Sequence, residues 1–323
     1  MTAGSSNPGF HLLSSITVTF NSSRFVVPAL ESIQAASLKA NLDLELIVID
    51  NASSDDTVKV VAQHFPEATI VRNAENVGFS VANNQAFAIA KGDLWLLANP
   101  DATVELESIR SLADFLVSHP RAAAVAPSMD GQRGAGPESA GMSPGIRSMA
   151  GHFLFLNRLL PGTAGGAWQG WQLASRPRLG ARRVDWVGGT VAALRPEAVR
   201  TVSGFDESFF LYFEDVDLGE RLRQGGWELW LAPGAKAKHL ISHGRISTSW
   251  LDVMHEYYGV RASRARLVIV GLIVAVGLAA RGVSRTITSR TAAELVEARR
   301  ARANARRAIQ LLATSLSSNR RSR

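Results

Sequence analysis

Residues 96–104 read LLANPDATV: an apolar run that stops on Asn99-Pro100-Asp101. With Leu94 and Trp95 in front of it, the run has the composition of a buried strand, and Asn-Pro-Asp is the punctuation that ends one. A carboxylate just past a buried strand is costly unless it is solvated, paired or bound to a cation. Two readings of these residues stay open. Asn-Pro-Asp can simply build a β-turn. Alternatively, Asn99 and Asp101 are hard oxygen donors of the kind that Mg2+ or Mn2+ accepts beside diphosphate oxygens.

Outward from this stretch, the first half of the chain alternates β-branched runs with amphipathic ones. ITVTF (16–20), LELIVID (44–50), ATIVR (68–72), DLWLLAN (93–99) and AAAVAP (122–127) read as buried strands. Between them, SSDDTVKVVAQHF opens on residues suited to an N-cap and then sets Val58, Val61, Ala62 and Phe65 on one helical face. This rhythm predicts an α/β fold, a mostly parallel sheet flanked by helices, with ligands at the carboxyl ends of the strands. Asp50 and Asp101 both fall at such ends. Residues 131–180, rich in Gly, Pro, Ser and Trp, are expected to be loops and short helices over the site. Order returns with a strand near 190–194, a short helix from Pro196, a helix over 214–224 and a strand near 228–231.

Composition narrows the setting. The 323 residues are 46% hydrophobic, enough for one large domain or two smaller ones. Cysteine is absent, which excludes disulfides and thiolate metal sites. The first residues lack a basic stretch followed by a long apolar run, so a cytoplasmic catalytic part is expected. Residues 261–323 carry 14 Arg, no Lys and two Glu, a charge of +12, which leaves residues 1–260 at −5 out of the total of +7. Inside this basic tail lies LVIVGLIVAVGLAA (267–280), followed by an Ala- and Arg-rich helix expected over about 291–314. The combination points to an anionic membrane surface rather than to nucleic acid. A helix over 267–280 alone would reach roughly 21 Å, short of a hydrocarbon core of about 30 Å, so a peripheral anchor is expected. The division expected is a catalytic domain over 1–250 and a basic helical tail over 251–323.

Three further places carry chemistry. Asp50, before NASSDDT, either helps to cap the next helix or offers a carboxylate to the N3–H of a uracil or thymine ring. Glu214, Asp215 and Asp217 follow FFLYF. Asp217 and Arg221 are i,i+4 neighbours and suit a solvated pair. The aromatics before them would wall Glu214 and Asp215 with apolar surface, the setting that makes a carboxylate a useful base. His239 can supply an imidazole to the same metal as Asp101, with His243 as competitor. No G-x-G-x-x-G or Walker A stretch occurs.

Taken in order, VTFNSS, VIDNASSDDT, NAENVGFSVANNQAFAIAKGDLWLLANPDATV, VGGTVAALRPEAV, GFDESFFLYFEDVDLGERLRQGGW and PGAKAKHLISHGRIST make the chain resemble the family 2 glycosyltransferases of the GT-A fold, rhamnosyltransferase-like bacterial members in particular. The resemblance covers roughly residues 14–250. It implies that Thr19, Asn21 and Asp50 line the nucleotide pocket, and that Asn76, Gly78, Phe79, Asn83 and Asn99 lie beside the nucleotide-sugar. Asp101 and His239 would hold Mg2+ or Mn2+, with Asn99 standing where the family's first metal-motif carboxylate falls. Asp215 would be the general base, and Trp186, Gly188, Gly189 and Glu214 would shape the acceptor site. The implied reaction moves a sugar, with inversion, from a dTDP- or UDP-sugar to a cell-wall or surface-polysaccharide acceptor carried on a polyprenyl lipid. A nucleotidyltransferase with a similar core is the alternative, although TFNSSRF lacks the glycines and lysine of its phosphate loop. A non-catalytic sugar-binding protein is the third reading, which the retained Asp50, Asp101, Asp215 and His239 oppose.

Overall fold

The computed structural model describes residues 9–130, 140–154, 156, 180–239, 248–288 and 291–317. These group into two compact units. The first, residues 1–141 and 173–244, is built on a mixed sheet.

Strand β1 (Leu12–Thr19) is the centre of its parallel half. It pairs in parallel with β2 (Asp43–Asp50) on one side and β4 (Leu94–Ala98) on the other, and β3 (Thr69–Arg72) extends the sheet beyond β2. The register sets Thr19 beside Asp50 and Ile16 beside Leu97, so the three carboxyl ends emerge together. The crossovers are helical: α1 (Val26–Ala40), α2 (Thr57–His64) and α3 (Gly78–Ile89). In α1, Val26, Ala29, Leu30, Ile33, Ala36 and Ala40 are buried at three- and four-residue intervals. That helix stops at Asn41 in the left-handed conformation, a residue type suited to such a cap. Leu13, Leu30, Ile33, Val48, Leu96 and Val125 belong to the core beneath the sheet.

The other half is mixed. β10 (Val191–Leu194) runs antiparallel between β4 and β6 (Ala122–Asp130), and β11 (Glu228–His239) lies parallel to β6. β5 (Ala102–Val104) and β8 (Arg182–Val184) both pair antiparallel with β11. A two-stranded pairing of β7 (Ala140–Gly141) with β9 (Trp186–Val187) stands apart. Helices α4 (Ser108–Ser118), α6 (Pro196–Thr201) and α7 (Glu214–Gln224) complete this unit. β11 runs eight residues beyond the 228–231 expected from its apolar run. Pro233-Gly234 reads as a loop in sequence, but the strand absorbs it as a register shift between Ala232 and Lys236 and resumes pairing.

The second unit, residues 142–172 and 245–323, is helical: α5 (Ile146–Phe153), α8 (Thr248–Arg261), α9 (Arg264–Thr288) and α10 (Ala292–Ser317). One expectation is corrected here. The apolar run 267–280 is the middle of a 25-residue helix, about 37 Å long and therefore longer than a hydrocarbon core of about 30 Å. Arg264, Ala265 and Arg266 are strong helix formers ahead of the run, and Val283 and Ile287 carry its apolar periodicity on behind it. The length argument against a span therefore fails. Most of the loop expected over 131–180, and His243, lie outside the described residues.

Candidate active site

The turn that ends β4 assembles the first part of the site. The Ala102 amide donates to the Asn99 carbonyl at 3.1 Å, so Asn99-Pro100-Asp101-Ala102 is a β-turn with proline at its second position. It redirects the chain from the parallel strand β4 into the antiparallel strand β5. β5 pairs with the end of β11 so that Ala102 faces His239. Asp101, the next residue along, therefore meets the histidine: its Oδ2 lies 3.1 Å from His239 Nε2. The β-turn reading of Asn-Pro-Asp is what the structure shows, and the turn aims the Asp101 carboxylate at His239. Two donors about 3 Å apart match adjacent positions around an ion with ligand distances near 2.1 Å; the carboxylate oxygen suits Mg2+ or Mn2+, and the imidazole favours the transition ion of the two. The described residues contain no group of three or more acidic or His ligands. Asp101 and His239 would thus leave the remaining positions to water and substrate oxygens.

A hydrogen-bonded cradle lies at the ends of β1 and β2. Asp50 is 0% exposed, and its carboxylate accepts from Thr19 Oγ1 at 2.9 Å and from the Ser53 amide at 3.0 Å. Asn21, with φ +52°, accepts at Oδ1 from the Ser54 amide at 2.8 Å, while its own amide donates to Ser53 Oγ at 2.8 Å. The two strand-end loops are stitched together by these bonds. The sequence D-N-x-S-S-D signals helix capping; that its serines cross to Asn21 is a tertiary fact no local pattern carries.

Helix α3 joins the cradle to the acidic loop. Asn51 Nδ2 donates to the Gly78 carbonyl at 3.0 Å, Asn76 Oδ1 accepts from the Gly78 amide at 3.0 Å, and Asn83 Nδ2 donates to the Phe79 carbonyl at 2.8 Å. Gly78 has φ +87°, and a Cβ there would lie 2.6 Å from the Phe210 carbonyl oxygen. Only glycine permits that approach, which lets the Phe79 amide donate to Phe210 at 2.7 Å. Further along the helix, Asn84 accepts from the Phe205 amide at 2.9 Å and donates back to the Phe205 carbonyl at 2.9 Å. Asn73 Nδ2 donates to Asn51 Oδ1 at 2.8 Å, and the Asn73 and Gln85 amides exchange bonds at 3.0 Å; these two and Asn84 were not singled out from sequence, and their signal is the density of amide side chains in NAENVGFSVANNQ.

The loop so held ends in Tyr212 (φ +75°) and Phe213 (φ +66°), two successive left-handed aromatic residues. Such strain persists only where surroundings enforce it. It seats Glu214 and Asp215 in the first turn of α7. Phe209 and Phe213 are buried beside them, as expected, whereas Phe210 and Tyr212 are exposed. Glu214 is buried and its Oε2 has no hydrogen-bond partner. Burial, reinforced by the neighbouring Asp215 charge, holds its carboxyl well above the usual range. Burial likewise pushes Asp215 up to about 6, against a hydrogen bond from the Val216 amide that favours the charged form. Asp217 is buried rather than part of the solvated pair expected: Arg221 Nε donates to it at 2.7 Å and carries the same guanidinium to the carbonyls of Val202 and Gly204, so this pair braces the loop.

Gly189, the second glycine of the pair, borders the same cavity as Asp215. The Asn99 amide donates to the Thr190 carbonyl at 2.8 Å, which sets Gly188 and Gly189 beside the Asn-Pro-Asp turn. A Cβ on Gly189 would lie 2.7 Å from the Phe79 ring. Gly189, Phe205, Leu218 and Asp215 line one small apolar cavity, and the buried Trp186 abuts α7 where Gly219 packs against it.

Residues 14–176 match the profile of Glycosyl transferase family 2. An N-acetylglucosaminyl-diphospho-decaprenol L-rhamnosyltransferase of Mycobacterium tuberculosis is 31% identical over 248 residues, 71% of this chain and 78% of that protein. Rhamnosyltransferase WbbL of Escherichia coli is 38% identical over 64 residues, 20% of this chain and 24% of that protein. The mannosyltransferase PcManGT of Pyrobaculum calidifontis, solved with GDP-Man and Mn2+, superposes with a TM-score of 0.57 at 16% identity, covering 97% of this chain and 89% of that one. GalNAc-T7, solved with UDP, GalNAc and Mn2+, gives 0.53 at 13% identity over 72% of this chain and 44% of that one, so this chain spans less than half its length. At such identities the structural likeness speaks for the GT-A fold alone.

Proposed function

The chain belongs to glycosyl transferase family 2, rhamnosyltransferase-like, and we propose that it transfers a rhamnose-like or other hexose from a dTDP- or UDP-sugar to a polyprenyl-linked glycan, with inversion and with Mg2+ or Mn2+. Family membership makes it a glycosyltransferase and sets aside the nucleotidyltransferase and non-catalytic readings. The observation that carries the finer reading is the 3.1 Å approach of Asp101 to His239 at the sheet edge, in the same unit as the buried Glu214 and the half-buried Asp215.

Thr19, Asn21 and the Ser53–Ser54 loop receive the nucleoside. Asp50, fully buried, fixes that pocket through its bonds to Thr19 and to the Ser53 amide. Asn76, Gly78, Asn83 and Asn99 border the sugar. Asp101 and His239 would hold the divalent ion, which when bound offsets charge on the departing diphosphate.

On the far side, Asp215 accepts the proton of the acceptor hydroxyl as that oxygen attacks the anomeric carbon. Its raised pKa suits the task, since a base near the working pH balances availability against strength. Trp186, Gly188, Gly189 and Glu214 shape the acceptor end. The polyprenyl acceptor is suggested by the M. tuberculosis relative, and it would place the work at the cytoplasmic face of the membrane. Incubating the protein with dTDP-rhamnose and a panel of UDP-sugars, with and without Mn2+, tests the donor reading. Nucleoside diphosphate release from one of them, dependent on metal, is expected. Release that ignores the metal would contradict the role given to Asp101 and His239.

A further inference from the structure

In the helical unit, α9 and α10 form an antiparallel hairpin with two close approaches. A Cβ on Gly271 would lie 2.4 Å from Leu312 Cδ2, and one on Gly282 would lie 2.5 Å from Arg302 Cγ. The glycines therefore let the two helices run side by side. Another flank of α9 rests on α5, where Gly277 meets the Phe153 backbone at 2.4 Å by the same measure.

Between its polar ends, what stays uncovered on α9 over residues 267–280 is apolar. Ile269, Leu272, Val276, Val283 and Ile287 recur at helical spacing and are exposed, Leu272 by 52% and Val276 by 57%. At about 1.5 Å per residue the stripe is about 27 Å long. On α10, Leu295, Arg299, Arg302, Arg306 and Ile309 are exposed and share a face by the same periodicity. Both helices are right-handed and they run antiparallel. The faces a quarter turn past the seam on each therefore emerge on the same side, and the arginine row runs beside the stripe. Among the described residues, Arg299, Arg302 and Arg306 have no acidic partner, whereas Arg285 is paired with Glu297 and Arg307 with Asp252, each at 2.6 Å.

We propose that this hairpin face lies flat on an anionic bilayer, with the α9 stripe in the headgroup–acyl boundary and the α10 arginines on lipid phosphates. Charge complementarity selects this occupant: an apolar stripe edged by unpartnered guanidinium groups matches a surface that is greasy below and phosphate-bearing above. α9 is long and apolar enough to cross a membrane. Crossing is disfavoured because α10, bound along it, would carry Arg299, Arg300 and Arg302 into hydrocarbon. This inference goes beyond the transfer reaction and stands on the second unit alone.

Flotation of the full chain with vesicles of phosphatidylcholine, alone or mixed with phosphatidylglycerol, tests it. Binding to the anionic vesicles is expected to be at least about tenfold tighter, and to weaken in about 1 M salt, where charges are screened beyond about 3 Å. Leu272→Glu with Val276→Glu should abolish binding. Replacing Arg299, Arg302 and Arg306 by Ala should weaken it by about 10²-fold. The arginine variant changes exposed side chains, of which only the Arg302 stem also touches the helix seam at Gly282, and keeps the test valid should the first variant misfold; circular dichroism reports the fold of both. Equal binding to neutral vesicles, or full binding by the arginine variant, would overturn the proposal. So would self-association abolished by the Leu272/Val276 change, with no vesicle binding by the unaltered chain.

Discussion

Asp215 and Asp101 are both carboxylates at the edge of a buried region, and their surroundings give them opposite tasks. Burial holds the Asp215 proton up to about pH 6, with no cation paired to it among the described residues; Asp101 has an imidazole 3.1 Å away. Because the folded state binds the Asp215 proton more tightly than the unfolded chain, whose carboxyl titrates near 3.8, the stability it contributes is complete below that value and is lost as pH rises through about 6. Asp215→Asn should therefore raise Tm by a few degrees at pH 7.5 and leave it unchanged near pH 3.5. Melting curves at the two pH values check the sign. Asp101→Ala makes a separate prediction: the protein stays folded, and the Mn2+-dependent part of donor affinity falls by more than about tenfold. Titration of the donor with and without Mn2+ decides it, and an unchanged metal dependence would remove Asp101 from the ligand set.

Helix α3 and the loop before α7 are held together by backbone proximity, and this makes one glycine matter more than another. Gly78 and Gly226 both have positive φ, at +87° and +83°, but a Cβ at Gly226 meets nothing within 4 Å while one at Gly78 strikes the Phe210 carbonyl. Gly226→Ala should cost about 1 kcal/mol, the backbone term alone, whereas Gly78→Ala should cost about 2–4 kcal/mol and reduce turnover as well. Paired thermal denaturation and rate measurements separate the two. Elements of this kind were unequally legible in sequence. LELIVID and the helix from Glu214 announce themselves by apolar runs and by charge spacing, and the parallel half of the sheet follows from them. β5 has three residues, too few for any period. The antiparallel insertion of β10, and the continuation of β11 through Pro233-Gly234, depend on neighbouring strands rather than on local propensity. Asp101 and His239 were each visible as candidates, yet only the β5–β11 register explains why they meet. The left-handed Tyr212 and Phe213 carry no local signal, since neither residue type favours that conformation.

Across the molecule, the residues assigned to chemistry lie in the sheet unit and the unpartnered basic face lies in the helical unit. The charge division of −5 over residues 1–260 and +12 over residues 261–323 follows the same line. Chemistry and attachment should consequently separate on mutation. With a water-soluble acceptor analogue, the Leu272→Glu, Val276→Glu variant should keep its rate within about twofold, while transfer to acceptor embedded in anionic vesicles should fall by more than about tenfold. Comparable losses in both assays would show that the two units do not divide the work this way. The claim on which the rest depends is that Asp215 removes the acceptor proton. It is tested most directly by the pH dependence of acceptor-dependent nucleoside diphosphate release, measured for the unaltered chain and for Asp215→Asn. The unaltered chain should lose about tenfold in rate per pH unit below about 6 and be level above it; the variant should be slower by roughly 10² to 10⁴ and lack that acidic limb. A variant that keeps both the limb and the rate would contradict the account.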